Sequence, residues 1–355
     1  MRWSQSMNIT LPAIDAELAD GQRPALRFIK VSKDYALAGG GHPIAALTDV
    51  TLDVPQGTIL GLAGASGAGK TTFLDLASRR ARPSTGEVEA EKLRTSLVPQ
   101  EIDLRATRTV LENVLLPLDG HSLPHWEAAA RARTLLERLG LAGAENRFPR
   151  ELSAGERQKV TIARALVTEP ELLLLDESLA VLDRESSTGV VTLLDDINRE
   201  RGTTIVVASR SPAALKDLAH EIVVLDKGRP VEQGPTFDLL TQPQSTTTRA
   251  LVGAAFSASL PAFLEQRLVP EPSQDGQAIV RLIFTGQAAT TPVITRLARD
   301  LGLDANILLG SAETIRGRLY GVLIVGVASG EPYLSAALDH FEGAGLGTDV
   351  IGYLA

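Results

Sequence analysis

Gly64-Ala65-Ser66-Gly67-Ala68-Gly69-Lys70-Thr71 is the stretch from which the rest of the chain can be read. It fits the pattern G-x-x-x-x-G-K-[ST], whose glycines let the backbone curl until its N–H groups point inward at phosphate oxygens. Thr58-Ile59-Leu60-Gly61-Leu62-Ala63 ahead of it reads as a short buried strand, and Thr71-Thr72-Phe73-Leu74-Asp75-Leu76-Ala77 behind it as the first turns of a helix. That strand–loop–helix context is what the pattern needs, because the helix N-terminus adds its own partial positive charge. In such a loop Lys70 reaches the β- and γ-phosphates of a nucleoside triphosphate and the Thr71 hydroxyl holds Mg²⁺.

Working outward, Leu172-Leu173-Leu174-Leu175 and Thr204-Ile205-Val206-Val207 are short and wholly apolar, as strands buried on both faces of a parallel sheet are. Ile222-Val223-Val224-Leu225 is a third such run, closed by the turn signal Asp226-Lys227-Gly228. Strands alternating with helices around a phosphate loop predict an α/β domain. Leu26 to Val31 and Ala46 to Val54 alternate like half-buried strands, the second stopped by Pro55-Gln56-Gly57. Tyr35 precedes the loop Ala38-Gly39-Gly40-Gly41, and Glu127 to Leu141 carries helical spacing with Gly140 near its end. Asp176-Glu177 ends the leucine run; an Asp at a buried strand's carboxyl end can organise Mg²⁺, and its Glu neighbour can polarise the attacking water. Ser153 and Glu156, within Leu152-Ser153-Ala154-Gly155-Glu156, form a capping box opening a helix that runs to Val167. A capped helix start approached by small residues is also an anion site, open to a second molecule's triphosphate.

At 355 residues the chain predicts two domains. Its 44% apolar and 22% charged residues are those of a soluble globular protein. A formal charge of −8 and a pI near 5.3 argue against a nucleic-acid partner. With no cysteine, disulfides, thiolate metal sites and a cysteine nucleophile are excluded. No stretch approaches the roughly 18–20 uninterrupted apolar residues of a spanning helix. Residues 1–24, carrying Asp15, Glu17 and Asp20, lack the apolar segment of a signal peptide and are expected to be a disordered extension, with Met7 an alternative start.

Beyond Leu240 the texture changes. Thr241 to Thr248 is polar and Val269 to Gly276 is proline-bearing, so residues 246–275 are expected to be a linker. Then strand, helix, two strands, helix and strand follow over Ile279–Thr285, Thr291–Leu301, Ile307–Leu309, Leu319–Val327, Pro332–Phe341 and Asp349–Leu354. The order βαββαβ is that of a small ferredoxin-like α+β domain.

The phosphate loop, the capped Leu152–Glu156 helix start and Asp176-Glu177, in this order, resemble the ATPase subunits of ABC transporters over Leu26 to about Leu240. The resemblance implies that Tyr35 stacks on adenine, that Gly64 to Thr71 and Thr72 hold the nucleotide, and that Gln100 contacts Mg²⁺ and senses a membrane partner. It implies that Ser153, Gly155 and Glu156 complete the γ-phosphate site of the opposite subunit, with Asp183 as the aspartate of the intervening loop. Asn306-Ile307-Leu308 at a strand start, with Phe284-Thr285-Gly286-Gln287 and the ending Val350-Ile351-Gly352-Tyr353, is similar to the ligand domain of methionine-importer ATPases. What this implies is a residue 25–245 ABC ATPase domain and a residue 276–355 ferredoxin-like domain that binds methionine or a related amino acid through Asn306, Ile307 and Leu308. Asn306 at a strand head can present its amide to a ligand's polar end, or simply cap the turn after Asp304-Ala305. The implied cofactors are ATP and Mg²⁺. The implied assembly is a homodimer on the cytoplasmic face of the membrane, bound to a polytopic permease that an extracytoplasmic binding protein supplies.

Four departures from the family pattern stand out. Arg210, in Ala208-Ser209-Arg210-Ser211, stands where the family has a switch histidine; it offers a permanent charge but no proton exchange near neutral pH. Ala154 replaces the first signature glycine, Glu156 a glutamine, and Ala180-Val181 the usual Ser-Ala before Asp183. Lys70, Asp176 and Glu177 are kept, so nucleotide binding is expected, with Glu177, Arg210 and Gln100 as catalytic candidates and Thr71, Gln100 and Asp176 as metal candidates. Two alternatives stay open: an ATP-operated dimerisation switch with little hydrolysis, and a soluble ABC ATPase without a permease.

Overall fold

The computed structural model describes residues 24–36, 43–90, 93–120, 122–256, 260, 262–273, 276–286 and 292–354. The expectations for residues 1–23, for Ala38 to Gly41 and for Gln287 lie outside them. The chain forms two compact units: one holds the described residues up to Arg210 together with Val223–Val231, the other Ser211–Ile222 and Glu232 onward.

In the first unit β1 (Pro24–Tyr35), β2 (Ile44–Pro55) and β4 (Thr85–Ala90) make an antiparallel sheet in the order β2-β1-β4. The second sheet is built on β3 (Ile59–Ala63), β5 (Thr95–Val98), β6 (Leu172–Asp176) and β7 (Thr204–Ser209), which pair in parallel as β5-β6-β7-β3. β8 (Glu221–Asp226) and β9 (Arg229–Pro235) continue this sheet beyond β3. β3, β6 and β7 are buried along their whole length, which is why their sequences are apolar without alternation. Helix α1 (Lys70–Ala77) starts directly after the phosphate loop, and its Phe73 stacks on Phe28 of β1 at 4.2 Å and 11°. Both rings are fully buried, so this contact ties the antiparallel sheet to the helix that carries the loop. Burial of each ring is worth about 1.5–3 kcal/mol. Helices α2 (Val110–Leu115), α3 (His125–Arg138) and α4 (Ala154–Leu166) pack on one another, and α5 (Arg184–Arg201) follows β6.

In the second unit, α6 (Thr236–Thr241), α7 (Thr246–Phe256) and α8 (Ala262–Glu265) precede β10 (Gln277–Thr285), α9 (Val293–Leu301), β11 (Asn306–Ile315), β12 (Arg318–Ala328), α10 (Tyr333–Gly343) and β13 (Gly347–Leu354). The last six elements run βαββαβ, and their antiparallel sheet has the order β11-β12-β10-β13. This is the ferredoxin-like arrangement. Ala278, Val280 and Leu282 of β10 point into a core with Val293 and Leu297 of α9 and Ala337 and Phe341 of α10. Residues 246–256, read from sequence as linker, form α7 instead. Thr248, Val252 and Phe256 are its buried positions, spaced by four residues, and the polar Thr-Thr-Thr-Arg start hides that stripe.

Candidate active site

The phosphate loop owes its curl to two glycines that no other residue could replace. Gly69 has φ 105°, and a Cβ there would stand 2.6 Å from the Ala46 carbonyl and 2.7 Å from Leu47 Cδ2. A Cβ on Gly64 would meet the Leu225 carbonyl oxygen at 2.5 Å. Inside the curl Lys70 is buried, and its Nζ donates to the carbonyls of Gly64 (2.8 Å) and Ala65 (3.0 Å). The same ammonium lies 3.3 Å from Glu177 Oε1, with Glu177 equally buried. The Ala68 N–H donates to the Ala65 carbonyl, and the Ala68 carbonyl accepts from the Gly228 N–H, which pins the loop to the turn after β8.

Asp176 and Glu177 arrive at this loop because β6 ends beside it. Glu177 has φ 48°, a left-handed conformation costly for a non-glycine residue and held by its surroundings. Its N–H donates to the Ala208 carbonyl, and its Oε2 accepts from the Arg210 N–H at 3.1 Å. Arg210 Nε lies 3.6 Å from Oε1, with the guanidinium largely exposed. One carboxylate therefore faces two cations and a main-chain donor. The Thr71 hydroxyl donates to Asp176 Oδ2 at 2.8 Å, while Asp176 Oδ1 is buried with no partner among the described residues. Burial pushes the Asp176 carboxyl above its usual range and Glu177 adds to the rise, against the Thr71 hydrogen bond and Lys70. A buried, half-satisfied carboxylate beside a hydroxyl is an all-oxygen donor set, which suits a hard cation such as Mg²⁺.

A cleft of about 320 Å³ gathers Tyr35, Ser66, Gly67, Gly69, Lys70, Thr71, Thr72, Gln100, Glu177 and Arg210. Ile44, Ala45 and Ala46 also line it, and the sequence reading did not include them. They come to the site through strand register, since Ile44 pairs with Tyr35 across β1 and β2. Lys33 Nζ sits 5.0 Å from the centre of the Tyr35 ring, whose exposed face is open to a planar ligand.

Residues 47–180 match the ABC transporter family model and residues 278–350 the NIL domain model. The methionine import ATP-binding protein MetN of Cereibacter sphaeroides is 39% identical over 346 residues, spanning 93% of this chain and 97% of that protein. Its counterpart in Rhizobium meliloti is 36% identical over 362 residues, spanning 98% and 100%. The chain belongs to this family of ABC-transporter ATP-binding proteins. Among solved structures, a dimeric ATP-binding cassette in a post-hydrolysis state bound to ADP and Pi is 28% identical with a TM-score of 0.56, covering 59% of this chain and 98% of that one.

The family's signature residues stand apart from the cleft. Ser153 caps α4: its hydroxyl accepts from the Glu156 N–H (3.1 Å) and its own N–H donates to Glu156 Oε2 (2.7 Å). Arg147 holds the other Glu156 oxygen at 3.0 Å. The Ser153 N–H, helped by the Ser153 hydroxyl and Arg147, keeps the Glu156 carboxyl below the usual range. Gly155 faces the loop before α5, where a Cβ on it would lie 3.8 Å from Leu182 Cδ2. Asp183 caps α5, accepting from the Ser186 N–H (2.8 Å), which lowers its pKa. Val181 beside it is exposed, as Ala154 is at the start of α4. Asn306 and Ile307 are exposed on β11, an outer strand of its sheet, and Leu308 is half-buried. No helix among the described residues is long and apolar enough to cross a membrane.

Proposed function

We propose that the chain is the ATP-hydrolysing subunit of an importer for methionine or a closely related amino acid, with its ferredoxin-like domain sensing that amino acid. The observation that carries this reading is the convergence of Lys70, Glu177, Thr71 and Asp176 at one loop in a chain whose relatives are methionine import proteins along nearly their whole length. Tyr35 stacks on the base, the loop N–H groups and Lys70 hold the phosphates, and Glu177 accepts a proton from water as its oxygen bonds the γ-phosphorus and the bond to ADP breaks. Thr71, Asp176 and Gln100 hold Mg²⁺, which neutralises phosphate charge when bound. Arg210 places a fixed positive charge at the same site, and the phosphoryl transfer needs no covalent intermediate.

Ser153, Gly155, Glu156 and Asp183 serve the triphosphate of a second copy across a homodimer. That dimer sits against a polytopic permease at the cytoplasmic face of the membrane. Residues 25–245 act as the motor and 276–355 as the sensor, with Asn306, Ile307 and Leu308 meeting the amino acid. A ligand that prefers the separated dimer shifts the population away from the closed one, with about 1–3 kcal/mol typical of such coupling. The test is uptake of labelled methionine by cells carrying Lys70→Ala in place of the parent, beside ATP binding by the purified variant. Loss of both is expected; unchanged nucleotide affinity or unchanged uptake would overturn the assignment.

A further inference from the structure

Glu156 places a charge where the proposed role of α4 has no use for one. A helix start that receives the γ-phosphate of a second copy gains from its first-turn N–H groups and from the helix dipole. Glu156 puts a full negative charge into that first turn, where the family pattern has a neutral glutamine. Ser153 and Ala154 beside it are exposed, so the same surface is open to a triphosphate. Two anions then compete for one helix start.

Arg147 answers that charge. Its Nη1 donates to Glu156 Oε1 at 3.0 Å, while Oε2 accepts from the Ser153 N–H at 2.7 Å, so both carboxylate oxygens are held by the chain's own donors. Arg147 Nη2 donates to the Glu151 carbonyl, and Arg157 Nη1 to the Leu152 carbonyl at 2.9 Å. Guanidiniums therefore hold the two carbonyls that come immediately before Ser153. The main chain of Arg147 is fixed in turn by α2. The Val110 N–H, first in that helix, donates to the Arg147 carbonyl at 2.8 Å, and the Leu111 N–H to the Glu145 carbonyl at 3.0 Å. These donors have no partner inside α2, so the segment that carries Arg147 cannot shift without uncapping that helix. Arg147 and Glu156 are 9 residues apart, beyond the reach of pairing along one helix, and the turn Pro149–Glu151 brings them together.

In the single chain 40% of the Arg147 side chain and 30% of the Glu156 side chain are open to solvent. Water screens the pair there, and it adds little to folding. Cover by a second copy removes that water, and a carboxylate without its guanidinium would then repel phosphate far more strongly than in the open chain. The weight of the pair falls on closure of the dimer.

We propose that Arg147 is a positioning residue for the nucleotide of a second copy: it neutralises Glu156 and holds its carboxylate off the γ-phosphate, so that the start of α4 receives a triphosphate despite the acidic residue there. This role rests on α4 completing the site of a second copy, and it adds to that site a residue outside the signature stretch.

The experiment uses the full chain carrying Glu177→Gln and follows dimerisation by sedimentation velocity as ATP with Mg²⁺ is raised. Arg147→Gln keeps a donor and removes the charge; it is expected to raise the half-maximal ATP concentration about tenfold, the lower end of what a hydrogen bond to a charged group contributes. In a chain that also carries Glu156→Gln, the same Arg147→Gln change should move that concentration by no more than about twofold, because no anion is left to neutralise. Arg147→Lys, which keeps the charge, should stay near the parent, and added salt should shrink the Arg147→Gln defect. Binding of a fluorescent ADP, which lacks the γ-phosphate, should be unchanged by Arg147→Gln, as should the nucleotide-free melting midpoint. A defect of equal size with and without Glu156→Gln would mean that Arg147 only braces the Glu151 carbonyl, and no defect at all would remove it from the site. Either result overturns the proposal and leaves the two-copy reading intact. A Glu177→Gln chain that stays monomeric at saturating ATP overturns the two-copy reading itself, and the role of Arg147 with it.

Discussion

Glu177→Gln separates the two jobs proposed for the Glu177 carboxylate, pairing with Lys70 and accepting a proton from water. Glutamine keeps an acceptor for the Arg210 N–H at 3.1 Å but removes the charge that faces Lys70 Nζ at 3.3 Å and Arg210 Nε at 3.6 Å. Breaking one side of a buried pair costs about 3–5 kcal/mol when the other charge is stranded. Lys70 is not stranded, because it keeps the Gly64 and Ala65 carbonyls. The cost is therefore nearer the ~1–3 kcal/mol of one hydrogen bond to a charged group. At about 2–4 °C per kcal/mol for a domain of this size, the nucleotide-free melting midpoint should fall by several degrees. ATP with Mg²⁺ supplies Lys70 with new negative charge, so its stabilisation of the variant should exceed that of the parent by a similar amount. Turnover should drop by about 10²–10⁴-fold, the range for a positioned general base, and size-exclusion light scattering should show a persistent ATP-bound dimer. Differential scanning fluorimetry with and without ATP, beside steady-state phosphate release, reads all of these. A variant that hydrolyses ATP at the parental rate would refute the role given to Glu177, and an unchanged nucleotide-free midpoint would refute the energetic account of the Lys70 pair.

Arg210→His should raise the single-turnover rate and bring in a pH dependence near the histidine pKa of about 6.5 that the guanidinium lacks; a slower variant in rapid quench would mean that the site is built around arginine. Gly69→Ala puts a Cβ 2.6 Å from the Ala46 carbonyl at φ 105°, so fluorescent-nucleotide titration should show binding lost or weakened by more than tenfold, about 1.4 kcal/mol. Ser153→Ala should cost about 0.5–2 kcal/mol in urea melts, as loss of a helix cap does. Glu156 has a folded pKa depressed below 4.5, so its contribution is present above that value and lost as pH falls through the folded one. Glu156→Gln should accordingly flatten the acid limb of the stability–pH curve while leaving the neutral plateau lower, and an unaltered acid limb would contradict the assignment.

Much of the architecture was legible because local chemistry and tertiary role coincide. β6 and β7 are apolar from end to end since both faces are buried, and the loop before α1 spells its own backbone geometry in glycines. The capping box at Ser153 is equally local, needing only the residue three places on. What was illegible is what other segments supply. α7 opens on four polar residues, and its buried stripe makes sense only against the sheet that it covers. Ile44 to Ala46 belong to the cleft through a register set by β1 and β2, and neither strand announces that pairing.

Arg210 shows how the two kinds of information combine. The sequence reveals that an arginine stands where the family places a histidine, but not what the exchange touches. In the fold, Glu177 Oε2 is held by the main-chain N–H of residue 210, which every residue except proline provides. The side chain adds a 3.6 Å contact from a guanidinium that is 59% exposed, and so is screened by water. The substitution therefore leaves the placement of Glu177 nearly untouched and changes the charge that faces a bound triphosphate. A histidine there carries charge only when protonated, whereas arginine carries it throughout the physiological range. In the proposed reaction Arg210 acts on the developing charge of the phosphoryl group rather than on the orientation of the base, so substitutions at 210 should alter the rate of hydrolysis without altering the melting midpoint that Glu177→Gln lowers.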